Sequence, residues 1–161
     1  MAVDVVELKQ VLAKRASGVA VVTARAGDVI HGMTVSAFAE VSLTPPLVLV
    51  CAEKSSHTHP VIARGGVFAL NVLARDQAAL SDRFASKKDE ERRFVGLDYE
   101  SGVTGAPLLA GTVATLDCRV RAAHDAGDHV IYVGEVVDLR RSERAPLVYY
   151  GGAYRELARP E

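Results

Sequence analysis

Cysteine is scarce in this chain: 161 residues contain only Cys51 and Cys118. Both sit in apolar, strand-like stretches, which excludes a disulfide framework and reads as reduced core thiols of a cytosolic protein. Apolar runs of the roughly 18–20 residues that a membrane span requires are missing. The N-terminus lacks the basic-then-apolar order of a secretory signal. Charge of one sign is also missing: the formal net charge is −1, so no general attraction to nucleic acid or anionic membrane is expected. Neither G-x-G-x-x-G nor G-x-x-x-x-G-K-[ST] occurs, so a dinucleotide, if used, is held without a Rossmann unit or P-loop.

What is present is a chain of one-domain length, residues 1–161, with 49% hydrophobic and 24% charged residues, enough for a proper core. Asp4 to Arg15 reads as an amphipathic helix with Val5, Leu8, Val11 and Leu12 on one face. Asp4 is its cap, Glu7 completes a capping box and Gly18 marks the stop. Strands then dominate. Val19 to Ala24 and Val29 to Val35 flank a Gly27-Asp28 turn and form a hairpin. Leu47 to Ala52 is continuously apolar and is expected to be buried on both faces. Phe68 to Leu73 is a further strand. Short helices are expected from Ser56 to Gly65-Gly66, and from Gln77 to Ala85 with Asp76 as cap.

The mixed-charge run Lys87 to Arg93 reads as a solvated helix face or lid. In Gly111 to Arg121, Ala114, Leu116, Cys118 and Val120 alternate with Thr115, Asp117, Arg119 and Arg121, which predicts a strand buried on one side only. Residues 123–128 form the expected loop to Val130–Leu139, and Pro146 to Tyr150 is the last strand. Strands joined by short turns, with helices as excursions, predict a mainly β antiparallel barrel rather than a doubly wound parallel sheet.

Gly32 to Pro60 is the most informative segment. Thr34 and Ser36 form one hydroxyl-rich turn, and Ser55, Ser56 and Thr58 another, at the ends of neighbouring strands. Small donors in two such clusters suit a ligand with a flat polar ring and a phosphate tail. As plain turn and cap residues they would need no ligand. A metal reading of His57, His59 and Cys51 lacks a matching spacing and a third ligand, so no metal is expected. Arg119 and Arg121 are too few, without interleaved aromatics, for nucleic acid.

The order of these motifs resembles the short-chain flavin reductases, the NAD(P)H-dependent reductase components of two-component flavin monooxygenases. The resemblance runs through A-S-G-V-A-V-V-T-A (Ala16 to Ala24), G-M-T-V-S-A-F (Gly32 to Phe38), S-L-x-P-P-L-V-L-V-C (Ser42 to Cys51) and K-S-S-x-T-H-P (Lys54 to Pro60). It continues through F-A-L-N-V-L, L-S-D-R-F-A, G-A-P-L-L, G-D-H-V-I-Y-V-G-E-V (Gly127 to Val136) and P-L-V-Y-Y-G-G-x-Y (Pro146 to Tyr154).

This resemblance implies the FMN-binding split barrel, an antiparallel Greek-key β-barrel with a few peripheral helices, a homodimer, FMN or FAD as flavin and NADH or NADPH as electron donor. It also implies a separate monooxygenase as partner. By motif position, Thr34, Ser36 and Ala37 border the isoalloxazine ring, with Cys51 and Ala52 on the adjoining strand. Lys54, Ser55, Ser56 and Thr58 hold the ribityl phosphate. Arg83, Phe84 and Ala85 lie beside the flavin. His129 is near the nicotinamide, and Tyr154 near the flavin–nicotinamide stack. The implied reaction, hydride transfer from nicotinamide to flavin, needs positioning and local polarity rather than a nucleophile or a catalytic triad. A flavoprotein with tightly bound FMN, a non-catalytic flavin binder and a purely structural barrel are the other readings.

Overall fold

The computed structural model describes residues 3–158. In chain order the elements are α1 (Val5–Leu12), β1 (Ser17–Gly18), β2 (Ala20–Ala26), β3 (Val29–Val35), β4 (Phe38–Leu43), β5 (Pro46–Glu53), α2 (Thr58–Gly65), β6 (Val67–Val72), α3 (Ala78–Ala85), β7 (Tyr99–Ser101), β8 (Pro107–Leu109), β9 (Ala114–Ala126), β10 (His129–Arg141), β11 (Val148–Tyr150) and β12 (Ala153–Arg155). Single 3₁₀ turns precede α3 at Arg75–Gln77 and follow it at Glu90–Arg92.

Seven strands form one antiparallel sheet in the order β3-β2-β6-β9-β10-β5-β4. Its two edges, β3 and β4, are consecutive in the chain and separated only by Ser36 and Ala37. Three residue steps span at most about 10–11 Å. The edges must therefore approach each other, and the sheet curls into a barrel with a split bridged by the turn that carries Thr34, Ser36 and Ala37. The Cys51 N–H, bonded to the Ala37 carbonyl at 3.0 Å, ties this bridge to β5.

Inside the barrel, Val22, Ala24, Val50, Ala52, Ile62, Phe68, Leu70, Cys118 and Tyr132 form the main core. A second cluster, containing Val19, Val21, Leu73, Phe84, Leu109 and Leu147, packs α3 and the chain end against the outside of β2. Asn71 joins the layers: its amide donates to the Val21 carbonyl at 3.1 Å and accepts from the Leu109 N–H at 2.8 Å.

Several sequence expectations change in the folded chain. α1 stops at Ala13, and Gly18 pairs with Val148 in β1 instead of ending the helix. Asp4 does cap α1, accepting from the N–H groups of Val6 and Glu7 at 2.8 and 2.9 Å. The apolar face of α1 is uncovered: Val5, Leu8, Val11 and Leu12 are all exposed. β5 is not buried on both faces, because Val50 and Ala52 are enclosed while Leu47, Leu49 and Cys51 are only half-buried. Asp76 does not cap α3; it pairs with Arg144.

Thr115 and Asp117, expected to face water, are 5% and 1% exposed. The segment 102–109 covers that face, and Asp117 accepts from the Thr104 N–H at 2.8 Å and from its hydroxyl. Residues 123–126 are strand, so the expected loop shrinks to the Gly127-Asp128 turn. Arg93, at the end of the mixed-charge run, is 4% exposed. It is tied to the barrel, not to solvent.

Candidate active site at the split of the barrel

A cleft of about 290 Å³ opens at the split. Its walls come from five places. Met33 to Ala37 supply the bridge turn, Cys51, Glu53 and Ser56 the end of β5 and the approach to α2, Phe84 and Ala85 the end of α3, and His129 the start of β10. The segment after α3 adds Lys87, Glu90 and Arg93. The fold thus gathers Thr34, Ser36, Ala37, Cys51, Ser56, Phe84, Ala85 and His129 into one cavity.

Local chemistry sets what each can offer. The Thr34 hydroxyl donates to the Ser81 carbonyl at 2.6 Å, so its lone pairs are what remain for a ligand. Ser56 Oγ accepts from the His59 N–H at 3.1 Å, serving the first turn of α2 while lining the cleft. His129 Nδ1 lies 2.7 Å from Asp128 Oδ1. This contact holds the exposed Asp128 carboxyl below its usual range, its hydrogen bond with His129 being the largest cause. The carboxylate accepts the Nδ1–H hydrogen bond, which leaves Nε2 as the free ring nitrogen. Burial raises the Cys51 thiol above its ordinary pKa, which favours its neutral form.

Other candidates stand outside the cleft wall. Ala52 is fully enclosed in the barrel core. Lys54 Nζ donates to the Gly127 carbonyl at 2.7 Å and pairs with Asp125 at 2.5 Å, bracing the tip of the β9–β10 hairpin. Ser55 donates to Glu53 at 2.6 Å. The buried Thr58 hydroxyl meets His31 Nδ1 at 2.8 Å. Arg83 donates to the carbonyls of Arg92 and Val95 at 2.7 and 2.6 Å, and so props the segment that follows α3. The Tyr154 hydroxyl lies 2.9 Å from Ser81 Oγ and 2.7 Å from Asp82 Oδ1, fastening the chain end to α3.

Sequence reasoning missed Met33, Val35 and Glu53 on the cleft wall and, in the charged segment, Lys87, Glu90 and Arg93. Arg93 Nη1 donates to the Gly32 carbonyl at 2.7 Å and pairs with Glu90 at 3.1 Å, while Nη2 bonds the Ser86 carbonyl. Nothing local distinguishes Arg93 from Arg92 in K-K-D-E-E-R-R; only the packing does. Close contact also explains Gly32: a Cβ there would meet the Phe84 ring at 2.8 Å.

The cleft at the barrel split is thus lined by small residues, hydroxyls and a charged segment, with a carboxylate-bonded histidine on its wall. Residues 12–158 match the flavin reductase like domain, and the chain belongs to that family: an oxidoreductase on the FMN-binding split barrel that reduces flavin with a nicotinamide. Among its relatives is the FMN reductase (NADH) SmoA of Agrobacterium fabrum, 46% identical over 89% of this chain and 80% of its own length. Another is the reductase component of 4-hydroxyphenylacetate 3-monooxygenase from Thermus thermophilus, 39% identical over 94% and 96%. Among solved structures, the NADH:FAD oxidoreductase SgcE6 of Streptomyces globisporus superposes with a TM-score of 0.91 at 36% identity, covering 99% of this chain and 98% of that one. No helix among the described residues is long and apolar enough to cross a membrane.

Proposed function

We propose that this chain takes NADH as hydride donor and a diffusible flavin, FMN ahead of FAD, as acceptor, and hands the reduced flavin to a separate monooxygenase. The observation that carries the reading is the convergence of the Thr34–Ala37 turn, Cys51, Ser56, Phe84–Ala85 and His129 on one cleft. NADH and FMN are favoured because the 46% identical relative is named for both. A separate monooxygenase is favoured by the relative named as a reductase component.

Bound flavin would supply the two-electron acceptor chemistry. The protein's part is placement. Thr34, Ser36 and Ala37 border the ring plane. Ser56, at the entry to the eight-residue helix α2, suits a phosphate because helix N-termini favour anions. His129, fixed by Asp128, borders the outer face where a nicotinamide would stack. Met33, Cys51 and Phe84 add apolar or uncharged wall and limit water.

A homodimer accompanies this reading. The uncovered apolar face of α1, together with exposed Val41 and Leu43 on β4 and Val137 and Leu139 on β10, offers a surface for a second copy. The free thiols Cys51 and Cys118 suit a reducing, cytoplasmic setting.

The test is NADH oxidation by the purified protein with and without FMN, FAD or riboflavin, and with NADPH in place of NADH. Turnover that requires and saturates in added flavin is expected. Turnover without added flavin by a yellow protein would replace the diffusible flavin by a prosthetic one, and flavin binding without turnover would leave a carrier.

A further inference from the structure

At the edge of the flavin cleft, three side chains from distant parts of the chain meet at one point. His31 comes from β3, His57 from the residue before α2, and Glu90 from the 3₁₀ turn after α3. Glu90 Oε2 lies 3.5 Å from His31 Nε2 and 3.2 Å from His57 Nδ1, and the three ligand atoms all fall within 4.8 Å of one another. A tetrahedral ion with bonds of about 2.0–2.1 Å separates its ligand atoms by about 3.3–3.4 Å. Two of the three edges already have nearly that length.

We propose that His31, His57 and Glu90 form a site for a zinc-class divalent transition metal ion. Two imidazoles and one carboxylate are a ligand set that such ions accept, with a fourth position left to water. His31 carries the supporting contact that ligating histidines usually have. Its Nδ1 faces the buried Thr58 hydroxyl at 2.8 Å, which leaves Nε2 to face the cluster. His57 is the open side of the site, its side chain 74% exposed, so an ion can enter without unfolding anything.

Arg93 Nη1 touches the same Glu90 oxygen at 3.1 Å. It neutralises Glu90 in the metal-free chain and must share it once an ion binds. Affinity is therefore expected in the micromolar range and not at the level of closed structural zinc sites. Glu90 also lines the flavin cleft. An ion here ties the segment after α3 to β3 and to the entry of α2, and stiffens the wall of the cleft.

The test is titration of the full-length, chelator-treated protein with Zn²⁺ by calorimetry and with Co²⁺ by visible absorption, in His57→Ala and His124→Ala variants beside the parent. His57 and His124 are both exposed, so neither change should disturb folding. One ion per chain is expected, with intense tetrahedral Co²⁺ bands in the parent and in His124→Ala. Binding should weaken at least about tenfold in His57→Ala. Failure of the parent to bind either ion, or binding that His57→Ala leaves unchanged, would overturn the site. Neither readout depends on flavin or NADH, so the outcome is independent of the catalytic reading.

Discussion

The guanidinium of Arg93 donates to the carbonyl of Gly32 at 2.7 Å, across 61 residues of chain. Gly32 opens the G-M-T-V-S-A-F segment that bridges the barrel split, and Arg93 closes the charged segment after α3. This single bond fastens one wall of the cleft to the other. With Arg93 removed, Glu90 would lose its buried counter-charge and two carbonyls would lose their donor.

Arg93→Met is therefore expected to destabilise the chain by about 2–4 kcal/mol, as loss of one partner of a buried ion pair does. Arg93→Lys should recover only part of this, because one ammonium cannot reach Gly32, Ser86 and Glu90 in fork geometry. Urea unfolding of the three proteins measures both effects. Flavin affinity should fall in the same order.

Gly32→Ala is a sharper probe of the same seam. The added methyl would lie 2.8 Å from the Phe84 ring, which is 1% exposed and packed edge-on against Phe94. Either α3 shifts or the bridge turn does, at a cost of about 1–3 kcal/mol. Because both line the cleft, the KM for flavin should rise more than the KM for NADH. Equal KM values for variant and parent would mean that the cleft is not seated on this contact.

His129→Ala should raise the KM for NADH or lower kcat, with the Kd for flavin unchanged. Asp128→Asn, which keeps the shape but weakens the hold on Nδ1, should do the same more mildly. Steady-state kinetics with each substrate varied in turn, and flavin fluorescence titration, separate the two effects. Unchanged kinetics would remove His129 from the reaction.

Lys54 distinguishes two roles. Its bonds to Gly127 and Asp125 place it as a brace for the hairpin tip that carries His129. Lys54→Ala should then raise the KM for NADH and leave that for FMN nearly unchanged. A selective loss of affinity for FMN, absent with riboflavin, would instead show that Lys54 turns to the flavin phosphate when ligand binds.

The two thiols should differ in reach. Burial, reinforced by Asp117, pushes the Cys118 thiol up to about 12, so at pH 8 only about one part in ten thousand is thiolate. Cys51, also raised but half-buried on the cleft wall, should react slowly with an aromatic disulfide reagent, and bound flavin should protect it. One titratable thiol in the native protein and two in denaturant are the expected counts.

Much of this molecule is written locally. Val29 to Val35 reads as a strand from its β-branched residues and the Gly27 turn, and it folds with those bounds. Asp4 announces its cap, Gly66 ends α2 in the left-handed conformation, and the ordered motifs point to the family and to most of the cleft. Such features depend on a residue and its near neighbours, so the sequence determines them by itself.

The tertiary structure decided what depends on a second layer. Alternation in Ala114 to Arg121 shows one covered face, and nothing local says that residues 102–109 cover the other and bury Asp117. The run K-K-D-E-E-R-R reads as solvated because charge normally stays in water; Arg93 is buried only because the Gly32 carbonyl of β3 arrives from 61 residues away and, with the nearby Ser86 and Glu90, satisfies it. His31, His57 and Glu90 likewise meet only because the sheet brings its edges together across Ser36 and Ala37 and α3 returns over them. Long-range closure places these groups, and its cause is distributed over the whole barrel rather than held in any one segment.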